Sequence, residues 1–223
     1  MSHRVPRVLA LLLVPALFGA ACSSGGSSTT DATTSSTDTV GVSTTTTSGV
    51  TTTTIAADPT LEVLLLQTVP SAYVKLPDQI SDSGPTNLAK AMRDEGSTDG
   101  GRFLQQMGFV SGYQRVWAVS SDVRQNTIFL YRFKTPEGAA QYATNRASEL
   151  NAFGSVKGAV ITPFNVPMPG GVGLHSESDT LSFGAVVFSK GNYSVQAVST
   201  DGTKTDQSLA VVALAQAQFD RLP

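Results

Sequence analysis

The chain has 223 residues, with 15 Lys+Arg, 17 Asp+Glu and a single Cys, and charged residues make up only 14% of it, against about 25% in an ordinary soluble chain. One Cys excludes an intrachain disulfide framework. A net charge of −2 leaves no electrostatic footprint for nucleic acid, which needs a basic surface.

The N-terminus reads as an export signal over residues 1–21. His3, Arg4 and Arg7 form a basic start, and Val8 to Ala20 is a 13-residue apolar run. That run is too short to cross a hydrocarbon core of about 30 Å, which takes about 20 residues. It has the length of a signal h-region. It ends in Gly19-Ala20-Ala21-Cys22, small residues leading into the only Cys.

Those four residues resemble the lipobox of bacterial lipoproteins, with Gly19 standing where that family usually has Leu. The resemblance implies that the Cys22 thiol receives a diacylglycerol and that a dedicated peptidase cuts before Cys22. A further acyl chain such as palmitate on the new amino group follows in many members. Each buried CH₂ adds about 0.8 kcal/mol, so two or three chains would anchor the protein lastingly where one holds it marginally. The localisation implied is the outer face of the cell membrane, in or near the cell wall.

Residues 22–57 form the lipidated Cys and a tether. Positions 23–57 hold 22 Ser/Thr in 35 residues, with Asp31 and Asp38 as the only charges and no aromatic. Such a stretch buries too little apolar surface to offset its ordering entropy and reads as disordered. As a coil its ends would lie ~33 Å apart, from about 5–6 Å per square root of residue number. Thr clusters of this kind also resemble glycosylated stalks.

Residues 58–223 are the globular part, long enough for one core without disulfides. Thr60–Gln67 reads as a short helix and Pro70–Pro77 as extended. Pro85–Asp94 reads as a helix ended by Gly96. Asp99 can cap a further helix carrying Phe103, Leu104 and Met107, stopped by Gly108. The period then changes to two, and Phe109–Val119 is a strand with Phe109, Tyr113 and Trp117 on one face. Residues 120–126 turn the chain into a second strand, Thr127–Phe133. Thr135-Pro136-Glu137 starts a helix, with N-cap Thr and Pro at N1. It runs to about Leu150, burying Ala139, Tyr142, Ala143, Ala147 and Leu150.

Ala159–Thr162 suggests another strand, followed by a Pro/Gly loop over 163–173 and a short extension over 172–176. Leu181–Phe188 and Tyr193–Ser199 form a hairpin around Lys190-Gly191-Asn192. Thr203 or Thr205 caps the last helix, which turns Val211, Leu214, Ala215, Phe219 and Leu222 inward. Hairpin followed by capped helix thus occurs twice, at 109–150 and 181–222, like a duplicated ββα unit. The fold expected is α+β, a two-layer sandwich with an antiparallel sheet and helices on one face.

Candidate chemistry is sparse. No Gly-x-Ser-x-Gly, Ser-x-x-Lys or His-Glu-x-x-His motif is present, no cofactor is implied, and no catalytic residue is assigned. Tyr113, Arg115, Trp117, Tyr131 and Arg132 interleave aromatic and Arg side chains, a pattern that stacks sugars on an open sheet or simply packs a core. Arg115 and Arg132 could pair as an anion site unless Asp122 or Glu137 neutralises them. His175, Glu177 and Asp179 alternate in an extended segment, on one face about 6.6–6.8 Å apart, which could place an imidazole and two carboxylates around a metal ion.

The segments GFVSGYQRVWA, FKTPEGAAQYA and NVPMPGG, within residues 60–223, resemble the pattern of cell-wall lipoproteins of actinobacteria that lack known catalytic residues, so no site is carried over. The function expected is a membrane-anchored, non-catalytic envelope lipoprotein that binds a ligand, glycan, lipid or protein partner. The alternative is an envelope hydrolase using His175 with a nearby carboxylate.

Overall fold

The computed structural model describes residues 43–47, 50–54, 58–69, 72–95, 98–119, 123–157, 160–177, 181–202 and 204–223. The signal segment and Cys22 lie outside them. Within the Ser/Thr-rich segment, β1 (Ser43–Thr47) and β2 (Val50–Thr54) pair antiparallel as a separate two-stranded ladder.

The globular part opens with α1 (Pro59–Leu64), where Asp58 accepts from the Thr60 N–H and Pro59 sits at N1. β3 (Val74–Lys75) and β4 (Gly84–Thr86) follow, then α2 (Leu88–Glu95) and α3 (Thr98–Gln106). Pro85 belongs to β4 rather than to the helix expected from it, because it pairs opposite Tyr113 on a sheet edge, where Pro is tolerated.

β5 (Phe109–Ala118) and β6 (Gln125–Phe133) form the first long hairpin, and α4 (Pro136–Lys157) follows it. Thr135 caps α4 by accepting from the Gly138 N–H. β7 (Thr162–Phe164), β8 (Val172–Glu177), β9 (Ser182–Lys190), β10 (Tyr193–Asp201) and α5 (Ser208–Arg221) complete the chain. Of the two caps expected for α5, Thr203 lies outside the described residues and Thr205 precedes the helix by three residues. The helix instead begins at Ser208, whose N–H is taken by the Asp206 carboxylate.

The large sheet has eight strands in the order β3-β5-β6-β10-β9-β8-β7, with β4 also beside β5, and every pairing is antiparallel. The α+β class and the antiparallel sheet therefore stand. The helices, expected on one face, divide between two. Along β9, Val186 and Phe188 pack with Val211, Leu214 and Ala215 of α5, while Ala185 and Val187 pack with Ala143, Ala147 and Leu150 of α4. Alternate residues of a strand face opposite ways, so α4 and α5 lie on opposite faces. α1 joins α5 through Leu61 and Leu65, and α2 and α3 join α4 through Ala91 and Leu104.

This arrangement also separates the two ββα units. A two-fold axis between β6 and β10 would superpose the hairpins, but it would put both helices on one face. The units have opposite hand, so the repeat read in the sequence is one of pattern and not of structure.

A bulge corrects one further expectation. The register slips between Phe109 and Ser111, so Phe109 turns to the α4 side, edge-on to Tyr131 at 5.3 Å. Tyr113 and Trp117 stay on the α5 side. An extra residue in one strand reverses the facing of everything before it.

Candidate functional site

Of the two readings for Tyr113, Arg115, Trp117, Tyr131 and Arg132, an open face or a packed core, four of the residues take the second. Tyr113, Arg115 and Trp117 share the α5 side of β5, and Tyr131 points to the α4 side, since it pairs opposite Gly112. All four are buried, Arg115 completely. The loop over 163–173 sends Phe164, Val166 and Met168 into the α5-side core. A stacking platform for sugars needs an open aromatic face, and this one is sealed by α1.

The Arg pair separates as well. Arg115 lies opposite Ile128, and Arg132 lies opposite Ser111. Arg115 donates to Glu62 at 3.0 Å and to Gln67 at 3.1 Å, while Arg132 pairs with Asp58 at 2.8 Å. The neutralising groups are Glu62 and Asp58, both from the first ten residues of the globular part, rather than Glu137, and Asp122 lies outside the described residues. Burial would raise the Asp58 carboxyl, but bonds from Thr60 and Ser111 and the Arg132 charge outweigh it and hold Asp58 below 3.8.

On the opposite face, the core carries charge. Tyr142 of α4 donates to Glu95 at the end of α2, and Arg146 bridges Glu95 at 3.2 Å and Gln196 at 2.8 Å. Asp94 stands 3.5 Å from Lys90, which also donates to Thr86 and Gln114. Burial is the leading cause that raises the Asp94 and Glu95 carboxyls and lowers the Lys90 ammonium. Burial likewise pushes the Tyr131 and Tyr142 hydroxyls well above their usual range.

Asp94, Glu95, Tyr142, Arg146, Ser194 and Gln196 line a cavity of about 10 Å³. That is room for about one water and not for a sugar or lipid. The Ser194 hydroxyl and the Gln196 amide nitrogen face it without a protein bond partner. The sequence did carry a signal for this cluster, because Tyr142 and Arg146 stand four apart on the inward stripe of α4. Glu95 carried none.

His175 and Glu177 share the α5 side of β8, opposite Gly184 and Ser182. Asp179 lies outside the described residues. A carboxylate from elsewhere takes the third place: Asp206, just before α5, comes within 3.8 Å of His175 Nδ1, and Glu177 within 4.0 Å. Nδ1 is buried and has no hydrogen-bond partner. At 3.8 Å the Asp206 contact is longer than a hydrogen bond. No local pattern announces Asp206, because the contact joins segments 31 residues apart.

No known protein family matches this sequence, and no curated protein matches it. Among solved structures, the extracellular domain of PknH from Mycobacterium tuberculosis matches with a TM-score of 0.45 and 13% identity, covering 74% of this chain and 97% of that one.

Proposed function

We propose that this chain is a lipid-anchored extracytoplasmic module without catalytic machinery, and that it works by binding a protein or envelope polymer along its outer surface. The observation that carries the reading is the closure of both sheet faces. α1 and α5 cover one, α2 to α4 cover the other, and the polar cavity between them and the sheet has room for about one water. A module built this way offers rims and edges to a partner rather than a pocket to a small molecule. No described helix is long and apolar enough to cross a membrane. Attachment in this reading rests on Cys22 and on the small residues before it.

The tether supports the same reading, since linking a module to a surface raises its effective concentration there. The test is metabolic labelling with an alkyne-bearing fatty acid in an actinobacterial host. The full chain should take up label and partition into detergent, and Cys22→Ser should do neither. Equal labelling of both would contradict the anchor.

A further inference from the structure

We infer that His175, Glu177 and Asp206 form a binding site for a divalent transition cation, zinc above others, at the junction of β8 and α5. Their ligand atoms all lie within 4.8 Å of one another. In a four-coordinate zinc site with bonds near 2.0–2.1 Å, neighbouring ligand atoms stand about 3.3–3.4 Å apart. The 3.8 Å and 4.0 Å separations from His175 Nδ1 close to that value by small side-chain rotations. Both carboxylates belong to exposed residues.

Three features prepare the place. The His175 ring is set edge-on against Phe164, with centroids 6.1 Å apart, so its rotation is limited. Its Nδ1 is shut off from solvent and bonded to nothing, which is rare for a ring nitrogen unless a ligand completes it. Asp206 is held by the Ser208 N–H at 2.8 Å. The approach of the two segments is itself built in. A Cβ at Gly184, the residue opposite His175, would meet Val211 Cγ1 at 2.8 Å and the Gln207 carbonyl at 3.0 Å. Only glycine there lets the start of α5 come this close to the sheet and bring Asp206 to His175.

The donor set selects the ion. One imidazole and two carboxylates suit zinc and its neighbours, whereas calcium takes six to eight oxygens and magnesium prefers water and oxygen in octahedral geometry. Three protein ligands leave a coordination position open to water or to a donor from a partner. The site is independent of the proposed anchor and of the closed faces, so it stands or falls by itself.

The test is calorimetric titration of the full chain with zinc, magnesium and calcium chlorides. The chain has two His, His3 and His175, so His3→Ala is the control. Zinc should bind once per chain, unaffected by His3→Ala and abolished by His175→Ala. Asp206→Asn keeps the acceptor for Ser208 and removes the charge, and it should weaken binding with the circular dichroism unchanged. Magnesium and calcium should not compete. No saturable zinc binding, binding that survives His175→Ala, or binding lost only in His3→Ala would overturn the site.

Discussion

The two faces of the sheet bury opposite chemistry. On the α5 side the core is aliphatic and aromatic, with Arg115 as its one fully buried charge, and Arg115 is answered by Glu62 at the rim. On the α4 side, Glu95 is bonded to Arg146 and Tyr142 in the interior, and Lys90 is ion-paired with Asp94 beside them. The difference is one of leverage. A charge answered at the rim can lose a partner to water, but a charge answered in the interior cannot. The same ββα pattern therefore leads to two cores with different sensitivities.

The largest effect is expected on the α4 side. Arg146→Ala leaves Glu95 buried without its cation, and removing one partner of a buried pair costs about 3–5 kcal/mol. Urea unfolding should report that loss, or failure to fold. Glu62→Ala should cost less, about 1.5–3 kcal/mol, the range for a hydrogen bond to a charged group. Arg115→Met should cost less than Glu62→Ala, because Glu62 is already 46% exposed and can return to water. An Arg115→Met loss above that of Glu62→Ala would blur the contrast between the faces.

Acid separates the faces by sign. Asp58 is held below 3.8, so its contribution is present above 3.8 and is lost as pH falls through the lowered value. Glu95 is raised above 4.5, so its contribution is complete below 4.5 and is lost as pH rises through the raised value. Unfolding midpoints measured across pH should show Asp58→Asn flattening the acid limb and Glu95→Gln flattening the limb above pH 4.5. The smallest effect is at a helix start. Thr135→Ala removes the cap of α4 and should cost about 1 kcal/mol by thermal unfolding.

Much of the fold was legible because local signals announce it. The period of two marked β5 and β6, Thr135-Pro136 marked α4, and the stripe of Val211, Leu214 and Ala215 marked α5. Which face each helix takes was not legible. A helix after a hairpin can pack on either side, and the choice depends on the strands that arrive from elsewhere. The Phe109 bulge hid for a related reason, since it shows only against the partner strand. The candidate site divides in the same way. His175 with Glu177 follows from alternation in β8. Asp206 and Glu95 come from distant segments and carry no local mark. For Arg115 and Trp117 the choice between an open face and a packed core stayed open, because alternation cannot say which covering element will seal a face.

On the function proposed above, a sealed, anchored module acts through its surface. Native mass spectrometry of the full chain, extracted in mild detergent from its own host, tests that most directly. Acyl mass is expected on the Cys22 peptide, and the noncovalent adducts should be macromolecular or a single metal ion. A stoichiometric small organic molecule retained by the folded chain, and lost in Trp117→Ala or Tyr113→Ala, would contradict it.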